Sequence, residues 1–311
     1  MRKHGIGGLI ARQQWMNPAE KTLQKVTHSA FRFSGGQKLK NLLHGTWLGH
    51  PLHVVLTDVP IGAWTAAVVF DAAESMSGRR AYRFAADAAV TVGLVGAIGA
   101  AATGLTDWQD IDPPARRIGL VHGLLNLMSA TLFGSSLIAR RRRSRSSGRD
   151  LAALGYALSM IAAYLGGNLV YEEKIGVDHS SAERLPDDFA RVANEADVPP
   201  GKPIRAEHKG TPIVLIRRGS DIYALGETCA HLGGPLSEGE LEGDRLRCPW
   251  PGSRFSVYDG HVVDGPAVHP QPCLEVRLRN GDIEVRRSNC RTSEDDKKSR
   301  PDIAGTLLRT G

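Results

Sequence analysis

Three long apolar stretches constrain this chain more than any other feature of its sequence. They are Phe84–Leu105, Ile118–Ala139 and Leu151–Val170. Each is long enough to cross a bilayer, for which a helix needs about 20 mostly apolar residues. A fourth stretch, from His53 to about Phe70, is interrupted by Asp58 and Pro60. The sequence therefore predicts a bundle of four membrane-spanning helices, with the lipid bilayer as its partner.

A soluble four-helix bundle is the alternative to these spans. Its helices would carry charged residues along one face, whereas Leu151–Val170 contains no charged residue. The net charge of +6 could indicate nucleic acid, but six arginines are concentrated in Arg140–Arg149, directly between two apolar stretches. The cytoplasmic loops of membrane proteins concentrate Lys and Arg in this way. We therefore predict a membrane-flanking loop here and no nucleic-acid partner.

Four polar residues are predicted to share one membrane face. With four spans, the starts of the first and third helices lie beside the ends of the second and fourth, which groups His50, His53, Asp107 and His122. Ionisable side chains in spans are costly and usually line a bundle interior or a site. Two histidines on different helices could bind haem, a quinone or another metal ion, or relay protons. The alternative is that these residues cap helix ends at the headgroup level and bind nothing.

A motif at the start of the first span carries a family resemblance. The segment His44-Gly-Thr-Trp-Leu-Gly-His50-Pro-Leu-His53, followed by Pro60-Ile-Gly, resembles the opening of a family of four-helix bacterial membrane domains of unknown function. The resemblance covers roughly residues 44–172. It implies a membrane module but no particular chemistry.

Beyond the spans, the chain consists of short apolar runs separated by Gly, Pro, Asp and Asn. This pattern is typical of a small antiparallel sandwich or barrel. Asn280-Gly281, between two such runs, predicts a hairpin. The predicted strands are Phe189–Val192, Pro203–Glu207, Pro212–Arg217, Ile222–Leu225, Arg245–Cys248, Glu275–Leu278 and Ile283–Arg286.

Two loops of this second half carry the chemistry. They are Cys229-Ala-His231-Leu-Gly-Gly and Cys248-Pro-Trp-Pro251-Gly-Ser-Arg-Phe. Together they resemble the Rieske pattern, C-x-H followed after about sixteen residues by C-x-x-H, and the spacer between His231 and Cys248 has that length. The resemblance covers about residues 187–287. It implies an all-β domain in which Cys229 and Cys248 bind one iron of a [2Fe-2S] cluster and His231 binds the other.

The Rieske pattern has subclasses that differ in an extra cysteine pair. The Rieske subunits of cytochrome complexes carry those cysteines in the two loops, where this chain has Gly234 and Trp250. The domain is therefore more similar to the ferredoxin and oxygenase type.

Pro251 departs from the pattern, because it occupies the position of the second histidine ligand and has no side-chain donor atom. Three explanations are open. A cluster could bind through three protein ligands plus a substitute; the domain could have lost its cluster and persist as a binding module; or the residue could be a single-base variant of histidine. The candidates for this substitute fourth ligand are water, His261, His269 and Cys273.

The leading hypothesis is a membrane-anchored one-electron carrier with an unidentified redox partner protein. A stand-alone catalyst is disfavoured, because no oxygen-activating 2-His-1-carboxylate domain is evident. The alternative is a non-redox assembly or interaction protein with a degenerate, cluster-free Rieske fold. The predicted segments are a polar segment with a short helix (1–43), the four-span domain (44–172), a linker (173–186), the Rieske-type domain (187–288) and a disordered tail (289–311).

Positive charge near the helix ends favours one orientation of these spans in a bacterial cell membrane. Nine Lys and Arg residues flank the face with Arg140–Arg149, and about six flank the other face. The positive-inside rule then places the arginine-rich loops in the cytoplasm and both termini outside. An iron–sulfur domain outside would require export after assembly of its cluster in the cytoplasm, so the side of this domain stays open.

Overall fold

The computed structural model describes residues 5–250 and 252–288, and the chain divides into two compact units between Val177 and Asp178. The predictions made for Pro251 and for a tail over 289–311 lie outside the described residues. Within the described part, the first unit contains seven α-helices and the second contains ten β-strands. The predicted fold class, a helical membrane bundle followed by an all-β domain, is confirmed.

Four long helices form the main body of the first unit. By length and composition, each of the four could cross a membrane. Helix α4 contacts α5 and α7, and α6 contacts the same two helices, so α4 and α6 face each other across the bundle. The helices are α4 (Leu52–Ser77), α5 (Arg80–Trp108), α6 (Ala115–Arg141) and α7 (Arg145–Tyr171).

The middle of the bundle is filled by an aromatic pair and by small residues. The rings of Trp64 and Phe133 stack with their centroids 4.3 Å apart, and Ala67, Val90 and Ala152 surround them. Lipid tails are as apolar as these side chains, so close packing, and not exclusion of water, stabilises such a core. Small residues serve this purpose because they let the helix backbones approach.

Three short helices precede the bundle. They are α1 (Ile6–Ala11), α2 (Asn17–Ala30) and α3 (Gly36–His44). Ala11 of α1 packs against Ile118 and Leu165, and Leu23 of α2 packs in the cluster around Trp108. The sequence predicted one short helix here, beginning at Asn17, which is α2; it did not predict α1 or α3.

Ten antiparallel strands in two sheets form the second unit. One sheet has the order β1-β10-β9-β4-β3-β2 and the other has the order β5-β6-β7-β8. The hairpin predicted at Asn280-Gly281 is confirmed, since both residues have positive φ, 53° and 81°, as a two-residue β-turn of this kind requires. The strands are β1 (Ala190–Asn194), β2 (Ile204–His208), β3 (Thr211–Arg218), β4 (Asp221–Gly226), β5 (Glu240–Glu242), β6 (Arg245–Arg247), β7 (Arg254–Ser256), β8 (Val262–Asp264), β9 (Cys273–Arg279) and β10 (Asp282–Arg287).

Strand β3 is central and is buried on both of its faces. Val214 and Ile216 belong to the apolar core that also contains Cys229 and Cys248. The alternate residues, Ile213 and Leu215, belong to a second core on the opposite face of the sheet. The cysteine loops are thus attached to a layer that is held from both sides, which gives them a rigid base.

Candidate metal centre

The first cysteine loop is a tight turn that follows β4. The backbone N–H of Cys229 donates to the carbonyl of Gly234 at 2.9 Å, and the N–H of Gly233 donates to the carbonyl of Cys229 at 2.8 Å. Gly233 has a φ of +78°, a conformation that is costly for most residues with a side chain. These bonds close a small loop that presents Cys229 and His231 together.

The second cysteine loop connects β6 to β7. The N–H of Cys248 donates to the carbonyl of Ser253 at 2.8 Å, and the Ser253 hydroxyl accepts from the N–H of Ala267 at 3.0 Å. Gly252 supplies the sharp turn with a φ of +82°. The first bond closes the second cysteine loop, and the second bond ties that loop to the segment around Ala267.

The two loops meet at Gly234. A Cβ atom added to this glycine would lie 3.0 Å from the Sγ of Cys248 and 3.0 Å from the indole ring of Trp250. Only a residue without a side chain allows the first loop to come this close to the second. Gly234 therefore determines how near the two cysteines lie.

Both candidate cysteine ligands are buried and are not in disulfides. The side chains of Cys229 and Cys248 are 0% and 1% exposed, and they hydrogen-bond to each other. This bond, together with burial, raises the pKa of the Cys229 thiol, while the same bond lowers the pKa of Cys248. Two cysteine side chains in direct contact are the donor pair that a single iron of such a cluster needs.

Side chains outside the motif hold the first loop in place. The amide oxygen of buried Gln271 accepts from the N–H of Ala230 at 3.1 Å, and its amide nitrogen donates to the carbonyls of Gly226 and Thr228. Glu183 accepts from the N–H of Thr228 at 2.9 Å, and burial raises the pKa of this carboxyl group. Neither Gln271 nor Glu183 was predicted, because neither belongs to the spaced motif.

The donor set fits a [2Fe-2S] cluster at three positions and fails to complete it at the fourth. Cys229 and Cys248 would provide the thiolates, and His231 lies two residues beyond Cys229 on the same loop. Among the described residues, no group of three or more His, Cys, Asp and Glu side chains is arranged to hold a single metal ion. One substitute, Cys273, is disfavoured because it is disulfide-bonded.

In the helical unit, the structure brings together two of the four candidate residues. His53 and His122 lie with their ring centroids 6.4 Å apart. Asp107 pairs with His44 instead, at 2.7 Å, and His50 is exposed at the surface. These residues thus form two separate clusters in the helical unit, one around His53 and His122 and one around His44 and Asp107.

The cluster around His44 was not predicted as a site because this residue precedes the spans in sequence. His44 is 1% exposed and contacts Asp107 and Asp110, and Lys40 lies 3.0 Å from Asp110. Burial opposes a charge on His44, but its hydrogen bonds to both carboxylates outweigh that effect and raise its pKa above the usual 6.5. The sequence feature that could have indicated this cluster is the motif from His44 to His53, in which His44 occurs together with His50 and His53.

Comparisons with known proteins match the two units separately. A family model described as "Predicted membrane protein (DUF2231)" matches residues 49–179. A second model, described as "Rieske [2Fe-2S] domain", matches residues 188–276.

Similar proteins match the second unit. "Ferredoxin CarAc" from Metapseudomonas resinovorans is 34% identical over 98 residues, which is 31% of this chain and 92% of the relative. The ferredoxin component of biphenyl 2,3-dioxygenase from Rhodococcus jostii is 32% identical over 97 residues, 31% of this chain and 91% of the relative. A solved complex of oxygenase and ferredoxin in carbazole 1,9a-dioxygenase aligns at 33% identity and a TM-score of 0.30, covering 32% of this chain and 92% of the matched chain.

Proposed function

The chain belongs to the Rieske [2Fe-2S] family through its C-terminal domain, and from this we propose that it is a membrane-anchored one-electron carrier. The observation that carries the proposal is the buried, hydrogen-bonded pair of free cysteines, Cys229 and Cys248, on two loops that meet at Gly234. The two side chains are in contact without forming a disulfide. They provide two thiolates for one iron.

Cys229, His231 and Cys248 would hold the cluster. When bound, a Rieske cluster stores and releases one electron at a time, and imidazole ligands raise its reduction potential. The chain's own contribution is to fix these donors, through the two closed loops and Gln271, and to bury the cysteines. With Pro251 in the fourth position, the proposal requires a non-protein donor, such as water, or a histidine that moves toward the iron.

The redox partner is proposed to be another protein. One of the related ferredoxins is, by its name, a component of a dioxygenase, and an electron carrier of this kind needs an exposed surface near the metal. Trp250, two residues beyond Cys248, is 53% exposed. Tryptophan is a favoured anchor in protein interfaces, so we place the docking surface at Trp250.

The test is the non-haem iron content and EPR spectrum of the full-length chain, purified in detergent without oxygen. We expect about two non-haem irons per chain and a Rieske-type signal after reduction. Cys229→Ser should abolish both, and His208→Ala, which changes a histidine in β2 outside the cysteine loops, should leave both unchanged. Pro251→His should raise cluster occupancy further.

A cluster-free interaction protein is the second candidate, and the observation that favours it is the proline at position 251. If the wild-type chain contains no non-haem iron after anaerobic purification and Pro251→His acquires a cluster, the electron carrier is wrong and the second candidate stands. If both contain a cluster, the second candidate is wrong.

For the membrane domain, we propose a cofactor site built on His53 and His122, for which haem and a quinone are the candidates. Its support is the proximity of these two histidines from different helices. The bundle would then both anchor the carrier and exchange electrons within the membrane.

A further inference from the structure

The four long helices form a duplicated helical hairpin. One constant offset in residue number relates α4 to α6, and it links His53 with His122, Trp64 with Phe133, and Asp71 with Arg140. A second constant offset relates α5 to α7 in the same way. It links two pairs of small residues beside the histidines and one pair beside the aromatic rings: Ala100 with Ala162, Gly104 with Gly166, and Gly93 with Gly155.

Equivalent residues have equivalent environments. The Nδ1 atom of His53 lies 2.8 Å from the carbonyl of Ala100, and Nδ1 of His122 lies 2.8 Å from the carbonyl of Ala162. In each hairpin the glycine one turn further along lies against the ring: a Cβ on Gly104 would approach His53 within 2.7 Å, and one on Gly166 would approach His122 within 3.2 Å. The histidine pocket is therefore repeated, although the sequence around it is not.

The equivalent residues of α4 and α6 meet in the middle of the bundle at three levels. His53 meets His122 with ring centroids 6.4 Å apart and planes at 87°, and Trp64 stacks on Phe133. At the third level, Asp71 and Arg140 form a buried ion pair. The aromatic and ionic pairs hold the two hairpins together, whereas the two imidazoles gain little from each other directly.

The backbone contacts of both histidines make Nε2 the nitrogen that faces a ligand. A carbonyl oxygen can only accept, so each Nδ1 donates its proton to the carbonyl beside it. Metal-binding histidines usually donate the other ring N–H to a carbonyl or carboxylate in this way.

Asn126 is the polar neighbour of the His122 lone pair. Its side-chain nitrogen lies 3.1 Å from Nε2 of His122 and also donates to the backbone carbonyl of His122 at 3.0 Å. A metal at Nε2 would therefore displace one contact of this amide, while the bond to the carbonyl keeps the amide satisfied.

The spacing of the two rings suits one metal between them. A ring nitrogen binds a metal at about 2.0–2.1 Å and lies about 1.2 Å from its ring centroid. Two rings whose nitrogens face one ion from opposite sides would therefore have centroids about 6.4–6.6 Å apart, and the two centroids here are 6.4 Å apart. A bare zinc site would need three or four protein ligands, and the described residues offer no third donor at this level. Haem iron needs two, because its macrocycle provides the other four nitrogens.

We infer that His53 and His122 are the two axial ligands of a haem on the pseudo-twofold axis of the duplicated hairpin. The neighbouring helices present small residues beside the rings, Ala100 and Gly104 on α5 and Ala162 and Gly166 on α7. Four-helix bundles commonly build cofactor sites in this way, from facing helices. The inference rests on the part of the proposed function that assigns a cofactor to the membrane domain, and it is independent of the iron–sulfur cluster.

The test is the visible spectrum and haem content of the full-length chain, produced with a supply of haem precursor and purified in detergent. We expect about one haem per chain with the sharp bands of a six-coordinate, low-spin iron. Because the ring planes are nearly perpendicular, the ferric form should give the strongly anisotropic EPR signal of crossed axial imidazoles. This signal is distinct from that of a reduced Rieske cluster, so the two cofactors are measured separately.

Variants identify the ligands. His53→Ala and His122→Ala should each lower haem content about tenfold or more, since loss of a direct ligand costs more than the 10–100-fold of an outer-shell change. His50→Ala, an exposed histidine at the same end of the bundle, should retain full haem. Should an alanine variant fail to fold, His122→Met, which keeps an axial donor, should bind haem with a changed spectrum.

Three results would overturn the inference. The first is a folded wild-type chain that contains no haem and binds none when haemin is added. The second is full, low-spin haem in both alanine variants. The third is a quinone recovered by solvent extraction from a haem-free chain, which would assign the histidine pair to quinone binding.

Discussion

At the scale of single residues, His44 shows how a buried charge can stabilise one end of the helical unit. Its ring lies between Asp107 and Asp110, at 2.7 and 3.3 Å, and its side chain is 1% exposed. Burial alone would favour the neutral ring, but the two carboxylates outweigh it and raise the pKa of His44. Burial would also raise the pKa of Asp110, but hydrogen bonding and charge from His44 and Lys40 overcome it and lower that pKa.

The pH dependence of stability follows from these two shifts. A raised histidine pKa contributes stability that is fully present below pH 6.5 and is lost as the pH rises through the folded-state value. The lowered pKa of Asp110 contributes above pH 3.8 and is lost as the pH falls through its folded-state value. The His44–Asp110 interaction therefore contributes most to stability between pH 3.8 and pH 6.5. We expect the melting temperature of the detergent-solubilised chain to fall from pH 6 to pH 9, by about 2–4 °C for each kcal/mol lost.

His44→Gln should remove most of this slope, because the amide does not titrate. His28→Gln changes an exposed histidine of α2 and should leave the slope intact. An unchanged slope in His44→Gln would show that another group dominates the pH dependence.

At the scale of elements, close contacts at glycine determine how the helices pack. A Cβ on Gly93 would overlap the indole of Trp64, and a Cβ on Gly155 would lie 3.2 Å from the ring of Phe133. Gly134 of α6 has no atom within 4 Å of such a Cβ. The two buried glycines are equivalent in the repeat, so they test the packing of each hairpin separately.

Gly93→Ala should destabilise the helical unit by about 1–3 kcal/mol, because the extra methyl forces Trp64 off its partner. Gly155→Ala should cost less, since its nearest contacts are longer. Gly134→Ala is the matched control and should be neutral or stabilising by about 0.5–1 kcal/mol, the usual preference of a helix interior for alanine. Melting temperatures in one detergent would rank the three; a control as damaging as Gly93→Ala would contradict this packing argument.

The elements that the sequence predicted are those with a long periodic signal. Every predicted strand occurs, and the four long helices extend beyond their apolar cores because their end turns are polar. Strands β5, β7 and β8 were missed because each is too short to show a clear alternation. Helix α4 continues through Pro60, which the sequence treated as an interruption; neighbouring helices in a bundle compensate for the lost backbone bond.

At the scale of the whole molecule, the division into a helical and an all-β unit could be predicted because the two halves differ in composition. The candidate metal ligands Cys229, His231 and Cys248 could be proposed because they lie in a spaced motif. Gln271 could not, because it is distant in sequence from the loop that it holds. The repeat also escaped detection, since the identical pairs, such as His53 with His122, are isolated in sequence and other pairs differ, such as Trp64 with Phe133. Only the structure shows that these residues occupy matching places.

The arginine-rich end of the bundle bears on how the chain lies in the membrane. Arg140 is buried against Asp71, and Arg145 contacts Glu74 and Asp87, so some of this positive charge is neutralised by acidic partners. The positive-inside rule nevertheless counts Lys and Arg and gives little weight to acidic residues. It therefore predicts that this end faces the cytoplasm and that the C-terminal domain lies on the opposite side of the membrane.

A cysteine introduced at either of two exposed serines, one variant at a time, would test this orientation. A membrane-impermeant maleimide added to intact cells should label Ser220→Cys, in the hairpin between β3 and β4, and should label Ser146→Cys, near the start of α7, only after the cells are opened. Cys229 and Cys248 are buried, so the unsubstituted chain provides the background. Labelling of Ser146→Cys in intact cells, with Ser220→Cys protected, would place the C-terminal domain in the cytoplasm, where its cluster needs no export and its redox partner must be sought. The predicted pattern would instead require that the folded domain crosses the membrane with its cluster already bound.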